Sequence, residues 1–346
     1  MTDLQWSISQ KSNNASEPLL RVRHLSTDFV SAEGQVAHAL DDVSFDVHPG
    51  ETLGLVGESG CGKTTTMMSL MRLLPSAGRI TRGQVLYDGQ DLLALTQREM
   101  RRYRWKEMAM VFQSAMNALN PVYTVGDQIR EAIVLHGMMD KANANKRVEE
   151  LLDLVGIAKA RKNQYPHQYS GGMRQRAMIA MALACKPRLL FADEPTTALD
   201  VMVQAQVLEL LKAIQKDFGL AVVLVTHDLG VVAEVCDSVV VMYGGQVAEY
   251  GSSDAVYNTP QHPYTQRLLQ AFPDLNQPGE TLASIPGTPP RLNALPPGCR
   301  FEPRCHKRIE ICASVSPKLI DVTQVSSTTH HVAACHLCSG PEARPS

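Results

Sequence analysis

Between Gly57 and Thr65 the chain reads GESGCGKTT, with three glycines, one lysine and a pair of hydroxyls in a short space. Glycines let successive backbone N–H groups turn toward a common anion, a lysine adds a compact cation, and a hydroxyl can ligate a hard metal ion. That combination suits a polyphosphate carried with Mg²⁺. The flanks agree. An apolar run, Thr52 to Val56, leads in, and TTTMMSLMRLL leads out with helical composition. Strand, glycine loop and helix in that order are the context of a P-loop, where the helix N-terminus adds its positive dipole to the phosphate site. On this reading the backbone of Gly57, Ser59, Gly60, Cys61, Gly62 and Thr65 cradles the phosphates, Lys63 reaches the β- and γ-phosphates, and Thr64 coordinates Mg²⁺.

Two further stretches place reactive groups at the ends of apolar runs. Leu189 to Ala192 reads as a strand buried on both faces, and it delivers Asp193 and Glu194. One carboxylate at such a tip can hold Mg²⁺, and its neighbour can orient or deprotonate an attacking water. A helix cap would account for one acid there but not for two. LAVVLVTHD, 220–228, ends likewise on His227 and Asp228. Three strands with chemistry at their C-terminal ends predict an open parallel α/β sheet, because ligands bind there in such sheets.

The 346-residue chain carries a formal net charge of −2 and is 44% hydrophobic. That is enough apolar content for a large core, with no charge excess pointing to nucleic acid or an anionic membrane. The opening MTDLQWSISQKSNNASEP is polar and lacks the apolar segment of a signal peptide, so residues 1–19 are expected to be a disordered lead. No stretch approaches the ~18 apolar residues of a membrane span. The run MIAMALAC, 178–185, is expected to be a buried helix with methionines as packing. The basic REMRRYRWKE, 98–107, is expected to be an amphipathic surface helix rather than a nucleic-acid contact.

YSGGMRQRAMIAMALAC, 169–185, completes a set. With the P-loop at 57–64, Gln113 in MVFQ, Ser170-Gly171-Gly172, the acidic strand 189–194, Thr197-Ala198-Leu199-Asp200 and His227, the sequence resembles the ABC-type ATPases over roughly residues 20–270. The resemblance implies an α/β fold: a P-loop NTPase core of parallel sheet and helices, an antiparallel β subdomain, and a helical subdomain at about 120–180. It implies that Glu194 is the catalytic base, that His227 contacts the γ-phosphate, and that Gln113 contacts Mg²⁺ or water and relays the nucleotide state to a membrane partner. Asp193 would complete the Mg²⁺ site with Thr64. Ser170, Gly171 and Gly172 would close over ATP held by the opposite subunit of a head-to-tail dimer, with Asp200 at the seam. Phe29 is the candidate for stacking on adenine, with His38 as the alternative. The signature departs from the usual pattern at Met173, where the family usually carries Gln. Its backbone donors come from the glycines, so ATP contact is expected to survive.

ALNPVYTVGDQI (118–129), HPYTQRLL (262–269) and a Pro-rich segment ending in cysteines resemble the ATP-binding subunits of bacterial oligopeptide, dipeptide and nickel importers. That resemblance implies a second, related ATPase as partner, two transmembrane permeases, an extracytoplasmic solute-binding protein, and a peripheral place on the cytoplasmic face of the bacterial inner membrane. The segment between Gln113 and Ser170 is too short for the long coiled coil of chromosome-maintenance relatives, and a single P-loop separates the chain from two-cassette translation factors. Residues 271–298, rich in Pro and Gly, are expected to be a linker.

Residues 299–346 are expected to form a small cysteine-rich module. Five of the eight cysteines lie there, while Cys61, Cys185 and Cys236 read as small core fillers. A module so poor in apolar residues needs a staple, and a reducing compartment disfavours disulfides. Cys299, Cys305, Cys312 and Cys335 lack the paired C-x₂-C spacing of structural zinc. Four cysteines can hold a 4Fe–4S cluster, and the resemblance to peptide-importer ATPases implies the same. Zinc and free thiols remain alternatives, with Cys338, His306 and His336 as substitute ligands.

Overall fold

A computed structural model describes residues 17–113, 118–197, 199–271, 285–323 and 330–338. Most of the expected N-terminal lead, residues 272–284 of the expected linker, Ala198 and the last eight residues lie outside the described residues. The chain divides into two compact units that interleave along the sequence.

The first unit includes 48–52 and 94–225. Strands β6 (Met108–Val111), β7 (Leu189–Asp193) and β8 (Ala221–Val225) pair in parallel, with Met108 opposite Leu189 and Leu189 opposite Ala221. Every residue of β7 and β8 is buried, as the unbroken apolar runs require of strands covered on both faces. Helices α3 (Val125–Leu135), α4 (Lys141–Leu154), α5 (Gly171–Ala182) and α6 (Val201–Phe218) belong to this unit. Short polar side chains start each one. Thr124, Asp140, Ser170 and Asp200 accept from the backbone N–H two or three residues into the helix, satisfying amides that have no partner within it. Gly219, at φ 60°, ends α6.

The basic stretch 98–107 departs from expectation. Only α2 (Gln97–Met100) is helical, closed by a capping box between Thr96 and Glu99. The chain then turns through Trp105 at φ 70°, whose indole N–H donates to the Met181 carbonyl at 2.8 Å. A half-buried indole needs a partner for its N–H, and reaching α5 ends the helix early. Arg98, Arg101 and Arg102 are exposed, as a solvated face predicts.

The second unit includes 19–47, 53–93 and 226–346. Its antiparallel sheet has the order β2-β1-β4-β5, from β1 (Leu20–Val30), β2 (Val36–Val47), β4 (Gly78–Tyr87) and β5 (Gln90–Asp91). A second set runs β11-β12-β10-β9-β3, with β3 (Thr52–Val56) parallel to β9 (Ser238–Tyr243) and β10 (Gln246–Ser252) antiparallel to both β9 and β12 (Val332–Ala333). Strand β11 (Ile320–Asp321) closes the edge. Helices α1 (Lys63–Leu70), α7 (Leu229–Val235), α8 (Ser253–Asn258) and α9 (Pro263–Gln270) complete it.

The cysteine-rich tail joins the rest of its unit along a sheet edge. Strands β11 and β12 extend a sheet built by β9 and β10, so the tail borrows a core it could not assemble alone. Its Phe301, Val322 and Ala333 are buried with that sheet. The anchor is polar as well. Glu249 on β10 is fully buried and accepts from the Gln261 and His262 amides at 2.7 and 2.9 Å, while His331 Nε2 lies 2.8 Å from the same carboxylate. Burial holds the His262 imidazole down to about pKa 4, so its neutral ring accepts from the Tyr264 N–H at the start of α9.

Candidate nucleotide site

Strand β3 delivers the glycine loop to α1 as expected, and the loop's backbone explains its glycines. Gly57 sits at φ 146° and Gly62 at φ 108°, both left-handed, and a Cβ would meet the Met242 carbonyl at 2.2 Å or the Ala39 carbonyl at 2.8 Å respectively. Gly62 is also the N-cap of α1 and has no side chain with which to cap the helix's first amides. Uncapped amides at a helix start are where an anion binds. Lys63, only 6% exposed, folds back to donate to the Gly57 and Glu58 carbonyls at 2.6 and 3.1 Å. Thr64 is exposed on the first turn, and Thr65 is half-buried beside it. These residues fit a polyphosphate: amides aimed by left-handed glycines, a held cation and a hydroxyl at the helix start. Burial pushes the Cys61 thiol up against the pull of Lys63, as suits a filler. In the same unit His227 is exposed just beyond β8.

Phe29 lies half-buried on β1, facing Gly78 of β4, and its ring occupies the space a Cβ at Gly78 would need, 2.9 Å away. His38, the alternative, is exposed and pairs with Asp28 at 2.8 Å.

At the end of β7, Asp193 is buried and Glu194 turns into the left-handed region at φ 43°. That conformation is costly for a residue with a Cβ, and such strain persists where surrounding structure fixes it. Here the fixing bonds are visible. The Glu194 amide donates to Val225 O at 2.9 Å, and its carboxylate accepts from Gln113 Nε2 at 2.8 Å and Thr197 Oγ1 at 2.9 Å. Gln113 and Glu194, widely separated in sequence, are thus joined directly. Thr197 is a partner of Glu194 that its motif alone does not single out.

The signature residues start α5, with Ser170 as N-cap accepting from the Met173 amide. Half-buried Gly172 has a packing reason of its own, since a Cβ there would come within 2.5 Å of Val203 on α6. Asp200 caps α6 through the Val203 amide at 3.0 Å. Beside it Val201 and Met202 are 79% and 72% exposed, an apolar pair at a helix start left uncovered by the described residues.

In the tail, the Cys299 amide donates to the Cys312 carbonyl at 2.8 Å. Burial pushes the Cys299 thiol up to about 11, with like-charge effects from Cys312, Cys305 and Cys335 adding to it. The Cys335 thiol is drawn down to about 6, chiefly by a hydrogen bond from Cys338. Among the described residues, however, no group of three or more His, Cys, Asp or Glu side chains is drawn together tightly enough to hold a metal ion. The ligand set expected from sequence is gathered into one region but not assembled around one point.

Sequence comparison agrees with the geometry. Residues 40–197 match the ABC transporter family, and 248–312 match the C-terminal region of oligopeptide/dipeptide transporters. The dipeptide transport ATP-binding protein DppD of Bacillus subtilis is 51% identical over 304 residues, 87% of this chain and 90% of that protein. The oligopeptide transport ATP-binding protein OppD of Escherichia coli is 48% identical, with the same two coverages. Among solved structures, the ATP-binding cassette MJ0796, a dimer bound to ADP and Pi, superposes with a TM-score of 0.61 at 28% identity over 68% of this chain and 98% of that one. The chain belongs to the ABC transporter family, and its fold is that of the family's ATP-hydrolysing cassettes. No helix among the described residues is long and apolar enough to cross a membrane.

Proposed function

We propose that the chain is the ATP-hydrolysing subunit of a bacterial importer of dipeptides and oligopeptides, a cassette at 20–270 with a helical subdomain near 120–180 and a C-terminal module from 299. The observation that carries the reading is the Glu194 carboxylate, held in a left-handed backbone turn and bonded to Gln113 and Thr197. A carboxylate so fixed suits a general base that must meet a water in one geometry, and its bond to Gln113 supplies a route from catalysis to a partner. In the proposed mechanism Gly57, Ser59, Gly60, Cys61, Gly62 and Thr65 bind phosphate through backbone groups and Lys63 neutralises it. Thr64 and Asp193, with Gln113, hold Mg²⁺. Glu194 takes the proton of the attacking water, while His227 contacts the γ-phosphate. Phe29 packs on the adenine.

Ser170, Gly171 and Gly172 close on nucleotide in the other subunit, and Asp200 lies at the dimer seam. The exposed Val201 and Met202 support such a seam, since a partner would cover them. The second subunit is a related ATPase rather than a second copy, and the pair drives two permeases fed by an extracytoplasmic binding protein from the cytoplasmic face of the inner membrane. Phe112, Val122 and Tyr123, exposed on either side of the segment following Gln113, support a permease contact there. In proteoliposomes holding the whole complex, peptide-loaded binding protein is expected to raise ATP turnover severalfold. Turnover indifferent to peptide would remove peptide import.

For the tail, Cys299, Cys305, Cys312 and Cys335 are proposed as ligands of a 4Fe–4S cluster, supported by the bond from the Cys299 amide to the Cys312 carbonyl, which draws two of the four together. Bound there, the cluster would supply a structural staple. Protein purified without oxygen is expected to carry about four irons per chain with matching sulfide. One zinc or no metal at all would overturn the assignment.

A further inference from the structure

Between the first two tail cysteines, Arg304 reaches the phosphate loop and Phe301 packs on the tyrosines beside it. Arg304 makes a two-pronged ion pair with Glu58, the residue after Gly57, at 2.6 and 3.0 Å. The same guanidinium donates to Tyr243 Oη at 3.1 Å and to the Pro286 carbonyl at 2.9 Å, which fixes its plane. Phe301 is 1% exposed, with ring centroids 5.1 Å from Tyr243 and 5.3 Å from Tyr264. Tyr264, from the HPY stretch, accepts the Glu58 N–H at 2.9 Å. Arg300 bonds Asp41 and the Gly244 carbonyl, and the neighbouring Gly245 amide donates to Cys61 O at 3.0 Å. Glu58 is therefore held at its amide by Tyr264, at its carboxylate by Arg304 and at its carbonyl by Lys63.

A carboxylate on a loop that binds a polyphosphate is an electrostatic liability. At a separation of about 10 Å and an effective dielectric near 20, one unpaired charge opposes another by enough to change affinity about tenfold. Arg304 is the cation that cancels it, and the bidentate geometry holds the carboxylate in one place. We propose that the tail segment 299–305 is a clamp on the phosphate loop. In it Arg304 is a positioning residue that sets nucleotide affinity by neutralising and fixing Glu58. This gives the C-terminal extension a role in ATP binding whatever its cysteines hold.

The test is MgATP binding to the full chain, read by equilibrium titration with a fluorescent ATP analogue and by the steady-state split between KM and kcat. Arg304→Ala is expected to weaken binding about tenfold, raising KM with kcat nearly unchanged, and less so at high salt, where exposed charge is screened. Adding Glu58→Gln to Arg304→Ala should recover at least threefold of that loss, because the unneutralised charge is then gone. A purely structural role for Arg304 would show no such rescue. Arg304→Lys, which keeps the charge without the two-pronged geometry, should fall between the two, and it serves if the alanine variant fails to fold. Affinity unchanged in Arg304→Ala and Arg304→Lys, or a loss that Glu58→Gln deepens, overturns the clamp. The inference rests on the loop binding ATP: a wild-type chain that does not bind MgATP in the same titration overturns both readings, whereas normal wild-type binding with unaffected variants overturns the clamp alone.

Discussion

Glu194→Gln is expected to lower ATP turnover by roughly 10²–10⁴-fold, the usual worth of a positioned general base, while nucleotide still binds. The substitution keeps the side chain's size and its ability to hydrogen-bond with Gln113 and Thr197, which stand 2.8 and 2.9 Å from the carboxylate oxygen. It removes only the basicity. Since the backbone at Glu194 is already held by its amide bond to Val225 O and by a fully buried strand, the fold has no reason to change. A dimer that closes on ATP and reopens after hydrolysis would then stay closed. The expected readout is a slow-turnover, ATP-stabilised dimer by size-exclusion chromatography. Turnover at the wild-type rate would remove Glu194 as the base.

Lys63→Ala is expected to weaken MgATP binding by roughly 10–100-fold, the worth of one or two charge-assisted hydrogen bonds. The ammonium donates to the Gly57 and Glu58 carbonyls, so the loop is shaped around it. Alanine would leave those carbonyls unpaired and the phosphates without their cation, while the glycine conformations and the start of α1 persist. Nucleotide titration with a thermal melt alongside separates the two effects. Affinity within twofold of wild type would contradict the role given to Lys63.

Much of this site was legible because it is local. Thr52 to Val56 and Leu189 to Ala192 read as buried strands from their unbroken apolar runs, and the structure bounds them nearly the same way. The loop glycines were legible because their left-handed backbone excludes other residues. What escaped depends on partners distant in sequence. Arg304 meets Glu58, and His331 meets Glu249, across long stretches of chain that no periodicity records. The basic stretch near Arg102 reads as a continuous helix, yet the need of Trp105 for an acceptor, met at Met181, ends α2 after one turn. The tail's own residues are too poor in apolar groups to build a core. Its core is the neighbouring sheet edge, which sequence composition does not reveal. The HPY stretch marked a family branch, but its physical role, Tyr264 reaching the Glu58 amide, needed coordinates.

The central claim is that hydrolysis at Glu194 powers peptide uptake. The most direct measurement is uptake of a radiolabelled dipeptide by cells lacking this gene, complemented either with the wild-type chain or with Glu194→Gln at equal expression. Deletion is expected to lower uptake, the wild-type chain to restore it, and Glu194→Gln to leave it at the deletion level. Uptake restored by Glu194→Gln, or undiminished by deletion, would contradict the claim.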